Sequence, residues 1–391
     1  MASTMRNVKS TGRDDSSDKQ KGEKPGEKIM SKEKIIKDES PKEKDLMDLS
    51  DLDFVDHYAE DKVSDDSMLL PENTAASAIS CGFIGLGGGG GKLAKSFLDL
   101  GYNKTLLINT TAKDQPENVN QDHFLLLAGC DGVGKDVKVG EDVLSDNSTL
   151  VEDALRSRLG KLDWLFVCAS GGGGTGSSAA ILDDTFKRYL SSTHASGRVV
   201  YIITSPTSQE MLNPTIKSNY EHLLSRVSKS TYILIDNERQ LELLRGKVGM
   251  LEMYPKANQA FSRMLAQVFK MATESSPIQS FDTQDLERCL SQEGRVFLGT
   301  VAIKDFKDDK LGLKIYQGCS ERSPCPAPSG KPAAGSLILI VDSSTASDPV
   351  ASNQMESAIS YVGGRSKTQF SGVYVREGLN GLVAICMLSG M

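Results

Sequence analysis

The residues with the clearest chemical use are glycines set in two runs. Gly85-Leu86-Gly87-Gly88-Gly89-Gly90-Gly91-Lys92 follows a short apolar stretch. Ser170-Gly171-Gly172-Gly173-Gly174-Thr175-Gly176-Ser177-Ser178 follows another and leads into Ala179-Ala180-Ile181-Leu182. With no side chain in the way, backbone N–H groups can approach a phosphate, and a helix N-terminus behind them adds positive field. Two such strand-to-helix turns suit a polyphosphate gripped from two sides. A plain glycine linker is not expected between a buried strand and an apolar helix start. A third turn, Gly129-Cys130-Asp131-Gly132-Val133-Gly134-Lys135-Asp136, either adds further backbone donors or is an ordinary glycine turn.

Two familiar nucleotide sites are disfavoured. The first run satisfies GxGxxG, but a dinucleotide fold also asks for an acidic residue at the end of the second strand, where Asn109 stands. A Walker loop needs Gly six residues before Lys92 and Ser or Thr after it; the chain has Leu86 and Leu93. Seven scattered cysteines without a CxxC pair, and only four histidines, give neither a disulfide framework nor a zinc site. The 391 residues carry a formal net charge of −7, which argues against holding nucleic acid by charge. No apolar run is long enough for a membrane span, and the start is not a signal peptide. A cytoplasmic protein is expected.

The elements that must position these turns follow from pattern. Apolar runs at 82–85, 106–108, 124–127, 164–167, 199–203 and 232–235 alternate with helical stretches, which predicts a parallel sheet covered on both faces. Ligands of such sheets sit at the carboxyl ends of the strands. A long helix is predicted over 254–274, where apolar residues recur every three or four positions. Strands at 296–298, 337–341, 372–375 and 382–385, with a helix at 350–362, predict a smaller mixed α/β domain, interrupted by a flexible loop at 320–328. The expected domains are a charged, disordered extension (1–77), a nucleotide-binding domain (78–250), a central helix (251–275) and a C-terminal α/β domain (276–391). Residues 1–75 hold 13 Lys/Arg against 19 Asp/Glu. From Asp45 the extension sets Leu46, Met47, Leu49, Leu52, Phe54, Val55 and Tyr58 among acidic residues, a pattern that suits either a partner-binding motif or a solvated tail.

The run Gly172-Gly173-Gly174-Thr175-Gly176-Ser177 resembles the tubulin signature loop, shared by tubulins and the division protein FtsZ. Ile84 to Gly91 resembles the first phosphate loop of FtsZ. The similarity runs from about Ser80 to the last residue. It implies a GTP-binding domain, a long central helix and a second α/β domain, with GTP or GDP as ligand and Mg2+ beside it, and no metal site built by the protein. By resemblance, Gly88, Gly89, Gly90, Gly91 and Lys92, with Gly172, Gly173, Gly174, Thr175, Gly176 and Ser177, would surround the phosphates. Asn109 and Thr111 fall in the loop that senses the terminal phosphate, Gly132 and Gly134 in the next. Glu210 matches the ribose glutamate, and Asn237 the asparagine that reads guanine. Tyr254 and Asn258, four apart on one helix face, match the ring that stacks on the base and a second guanine-reading amide. Without the resemblance, Tyr254 reads as core and Asn258 as surface. The chain departs from the family at Lys92 (usually Asn), Ser178 (Gly), Pro214 (an arginine in FtsZ) and Ser280 (Asn). It also ends on its last strand, without FtsZ's C-terminal tail.

Asp282 and Asp285, in Ser280-Phe281-Asp282-Thr283-Gln284-Asp285-Leu286, resemble the pair of catalytic carboxylates that reaches the GTP of the next subunit. Read alone, they are also a good helix start. The resemblance implies a GTPase that polymerises head to tail, serving division, DNA partition or phage positioning. The chain itself would be the main partner, with a further protein partner for the N-terminal tail. The alternative is a non-polymerising GTP-binding switch or adaptor that recruits a partner through that tail.

Overall fold

The computed structural model describes residues 69–193, 198–304 and 306–391. Most of the charged extension, including its acidic-apolar stretch, lies outside the described residues. Ten strands form one sheet in the order β3-β2-β1-β4-β5-β6-β7-β10-β8-β9. They are β1 Cys81–Leu86, β2 Thr105–Asn109, β3 Phe124–Leu126, β4 Trp164–Ser170, β5 Arg198–Ser205, β6 Thr231–Asp236, β7 Gly294–Ile303, β8 Ala334–Val341, β9 Thr368–Val375 and β10 Leu382–Ser389. The helices are α1 Gly87–Leu98, α2 Val137–Asp146, α3 Ser148–Ala154, α4 Gly174–Ser177, α5 Asp183–Thr193, α6 Pro214–Val227, α7 Asn237–Leu244, α8 Met250–Met271, α9 Thr283–Leu290, α10 Leu311–Arg322, α11 Ser343–Ala346 and α12 Pro349–Gly363.

Strands β1 to β6 run parallel, β10 lies antiparallel between β7 and β8, and β9 is parallel to β8. The mixed region expected after the central helix therefore continues the same sheet. The join is short: Thr231, Tyr232 and Ile233 of β6 pair with Gly294, Arg295 and Val296 of β7.

Alternation across the pleat sorts the side chains into two cores. Phe83, Trp164, Phe166 and Cys168 face α1 and α8, while Ile84, Leu86, Leu165 and Val167 face the opposite layer. Phe83 stacks on Phe97 of α1 at 4.0 Å and on Phe166 at 5.2 Å between ring centroids, and Phe166 meets Phe269 of α8 at 5.3 Å. Such pairs add roughly 0.5–1.5 kcal/mol each beyond area burial. The central helix is thereby fixed along the sheet.

Three expectations are adjusted. The first glycine run is not a loop: Gly87 to Gly91 form the opening of α1. Residues 69–77, assigned by composition to the extension, are packed. Leu70 is buried and donates its N–H to the Arg158 carbonyl, and the buried Lys104 ammonium reaches both the Leu70 carbonyl and Glu72. The stretch 320–328 is tied down as well. Its Pro324 carbonyl accepts the Asp236 N–H at 2.9 Å, its Pro326 carbonyl accepts from Arg295 at 2.8 Å, and Cys325 is fully buried. Proline-rich composition signals irregular backbone, and irregular backbone is not the same as loose backbone. Among the described residues no helix is long and apolar enough to cross a membrane.

Candidate nucleotide and carboxylate sites

Glycine is a poor helix former, so five in the first turns of α1 need a reason. Packing supplies part of it. A Cβ on Gly90 would stand 2.3 Å from the Cys168 carbonyl oxygen, and one on Gly85 would stand 2.7 Å from the Gly91 Cα. Packing does not account for Gly91, Gly134 or Gly173, where a Cβ would meet nothing within 4 Å. Gly134 and Gly173 are open positions on a rim at the carboxyl ends of the parallel strands, while Gly91 is buried behind it.

Capping separates the helices of that rim into two kinds. Asp136 caps α2 by accepting the Val139 N–H, and Asp236 caps α7 by accepting from Glu238 and Arg239. Leu86 gives α1 no side-chain cap, and Gly173 gives none to α4. First-turn N–H groups without a cap seek an acceptor, and the helix field makes an anion the preferred one. The Ser177 hydroxyl is also buried without a partner in the chain.

The loops around this cradle are stitched together. Gly174 N–H donates to the Gly134 carbonyl at 2.9 Å, Gly132 N–H to the Thr110 carbonyl at 2.8 Å, and the Thr110 and Thr175 hydroxyls lie 3.0 Å apart. Asn109 is buried and accepts the Thr110 N–H, so it braces the turn. Thr111 and Lys113 both donate to Asp131. Ser178 fits in spite of its departure from glycine. Its hydroxyl lies 2.9 Å from the carbonyls of Val137 and Gly174, and the space comes from Gly140, where a Cβ would be 2.5 Å from that hydroxyl. Lys92 is exposed on α1.

At the other side of the rim, Glu210 accepts the Thr207 N–H at 2.8 Å and its hydroxyl at 3.0 Å. Asn237 opens α7 half-buried. Tyr254 stands 42% exposed near the start of α8, with Asn258 one turn further on. Burial, then the charges of Glu210 and Glu238, push the Tyr254 phenol above its ordinary value. Glu238 is a residue that sequence reasoning missed. It accepts the Ser208 N–H at 3.0 Å and so ties the β5 loop to α7. Asp114 was missed too; its carboxylate would touch a Cβ on Gly88 at 2.8 Å. No spacing signal marks either, because both meet the rim only through the fold. Where FtsZ has an arginine, Pro214 opens α6 behind the Asn213 cap. Among the described residues no group of three His, Cys, Asp or Glu is placed to hold a metal.

Asp282 and Asp285 lie elsewhere. Asp282 is the N-cap of α9 and accepts the Asp285 N–H at 3.0 Å, while Asp285 faces the Asp282 N–H at 3.5 Å, a reciprocal capping box. Burial, and then the neighbouring Asp282 charge, raise the Asp285 carboxyl above its ordinary value. The pair follows α8, whose 22 residues span about 33 Å at the usual helical rise. Thr231 at the start of β6 pairs with Gly294 just after α9. Phe269, in the last turn of α8, meets Tyr102, just before β2, at 6.1 Å, so the end of α8 that leads to the carboxylates lies at the amino ends of the parallel strands, opposite the chain's own glycine rim.

This order of a parallel sheet with a glycine rim, a long central helix and a mixed β-region is the tubulin/FtsZ fold. No protein-family model matches the chain. Particular solved structures do match. TubZ of Bacillus thuringiensis serovar israelensis, as a GTPγS-form protofilament, is 18% identical with a TM-score of 0.67, over 81% of this chain and 89% of that one. CetZ2 of Haloferax volcanii, a GTPγS-bound protofilament, is 20% identical with a TM-score of 0.64, over 80% and 93%. The empty FtsZ dimer of M. jannaschii is 18% identical with a TM-score of 0.59, over 79% and 87%. At these identities the likeness is one of fold.

Proposed function

We propose that the chain is a GTPase that assembles head to tail and completes each hydrolytic site only at the contact between two copies. The observation that carries this reading is the separation of its parts. An anion cradle lies at one end of the sheet and a carboxylate pair at the other, about 33 Å of helix away. Within one copy the two never meet; stacked copies would bring them together. Phosphoryl transfer needs charge stabilisation and an oriented water more than covalent help. The cradle would supply the first, and Asp282 and Asp285 of the next copy the second. Mg2+ would be held chiefly by phosphate oxygens and water. Asn237 and Asn258 carry amides able to pair with both donor and acceptor edges of guanine. The GTPγS-bound protofilaments of similar fold support the same assignment. Such a filament would work in the cytoplasm, with the N-terminal extension recruiting a protein partner.

Sedimentation with GTP against GDP tests assembly, and turnover per molecule should rise with protein concentration. Competition should favour GTP well over ATP. Concentration-independent turnover, or equal binding of ATP, would sink the proposal. The reciprocal capping of Asp282 and Asp285 supports a second reading, a GTP-binding switch, since a capping box needs no chemistry. Unchanged turnover in an Asp282→Ala/Asp285→Ala chain would select it.

A further inference from the structure

We infer that Tyr374 is a positioning residue for the carboxylate pair: through its hydroxyl, edge strand β9 clamps the loop that carries Asp282 and Asp285. The inference rests on the interfacial reading proposed above. Tyr374 is 1% exposed, and its hydroxyl lies where the two ends of the loop 272–281 come together. It accepts the Phe281 N–H at 2.9 Å and has the Met271 and Phe281 carbonyls at 2.8 and 3.1 Å for its single proton. Met271 is the last residue of α8, and Phe281 immediately precedes Asp282. One buried hydroxyl therefore sets where the central helix stops and where the carboxylate helix begins.

The rest of the loop is held by the same strand. Val373 N–H donates to the Gln279 carbonyl at 2.8 Å, the Ser276 hydroxyl donates to the Val373 carbonyl, and Arg376, next after β9, pairs with Glu274. Gly372 makes the close approach possible. A Cβ there would stand 2.7 Å from the Tyr374 ring, 2.9 Å from the Phe281 Cβ and 3.0 Å from its nitrogen. Removing the Tyr374 hydroxyl leaves a buried N–H without its acceptor, and the loop must move to find another. A shift of about 1 Å in a positioning group can cost roughly a hundredfold in rate. The strand contributes nothing to the chain's own glycine rim, so the defect should have a direction.

Mixing inactive chains reads that direction. A Gly176→Val chain should supply only carboxylates, and an Asp282→Ala/Asp285→Ala chain only nucleotide; the pair should recover hydrolysis. Adding Tyr374→Phe to the carboxylate-supplying chain should lower the recovered rate about ten- to a hundredfold. Adding it to the nucleotide-supplying chain should leave that rate within about twofold, which also shows that the substituted chain folds and docks. Gly372→Ala, whose Cβ pushes on both the Tyr374 ring and Phe281, should give the same asymmetry. Equal losses in both positions, or no loss in either, would overturn the inference while leaving the interfacial reading intact. An unsubstituted pair that stays inactive at high concentration would overturn both.

Discussion

The helix starts at the two ends of the molecule are built in opposite ways. At the glycine rim, α1 and α4 begin with no side-chain cap, open space stands beside Gly134 and Gly173, and the Ser177 hydroxyl has no partner. At the far end, α9 caps itself through Asp282 and Asp285, and its approach is clamped by Tyr374. One end leaves its helix starts without side-chain caps. The other is complete as it stands, and any chemistry there is added to an already satisfied turn. Substitutions at the rim should therefore separate into those that break packing and those that only break binding, whereas substitutions at the carboxylates should cost rate before they cost stability.

The largest effect is expected at the rim. Gly176→Val should abolish GTP binding and lower the melting temperature, because even a Cβ there would stand 2.6 Å from the Ser170 carbonyl oxygen. Gly173→Ala should melt normally, since its Cβ meets nothing, yet weaken GTP binding about tenfold or more if a phosphate fills that space. Calorimetric titration beside a thermal melt distinguishes them. Normal GTP affinity in Gly173→Ala would remove the open glycine from the site.

Asp285 comes next. Asp285→Asn should bind GTP and assemble while turnover falls by roughly two to four powers of ten. The pH dependence carries a sign. The folded chain raises the Asp285 carboxyl, so the protonated form is the one the fold favours. That contribution to stability is lost as pH rises through the raised value. Turnover should move the other way, rising with pH as the carboxylate forms, with its acid limb shifted above that of an ordinary aspartate. A pH–rate profile at saturating GTP should show this limb in the native chain and not in Asp285→Asn; an identical limb in both would assign it elsewhere.

The smallest effect is expected at Ser178. Ser178→Gly removes a hydroxyl that bonds α4 to the start of α2, at a cost of about 1 kcal/mol, without changing GTP affinity. A melting shift of a few degrees with unaltered binding would fit; a large loss of binding would mean that the serine touches the ligand.

Much of this was legible in the chain. Apolar runs of three to five residues gave the parallel strands, because a strand buried on both faces leaves no room for polar alternation. The three- and four-residue period gave α8 from Tyr254 onward, and the expected helix of 251–275 began one residue late and ran four residues past Met271; Met250 and Leu251 are exposed and follow no core pattern. The two glycine runs gave the rim, since no other residue lets backbone come so close to backbone at Gly90 and Gly176. The expectation of a loose loop at 320–328 failed for an equally local reason. Its partners, Asp236 and Arg295, are distant in sequence.

What the sequence determined by itself is the set of local decisions: which segments are strands, where the backbone must be bare, and which two carboxylates share a turn. These depend on residue type and short spacing, which the chain carries wherever it is folded. Tertiary structure decided the rest. It placed Glu238 and Asp114 on the rim, seated Leu70 and Lys104 under the sheet, and set Tyr374 of the last-but-one strand against the end of the central helix. It also put the cradle and the carboxylates at opposite ends of one sheet. No local pattern encodes that separation, because it follows from the parallel direction of six strands and the length of one helix packed along them.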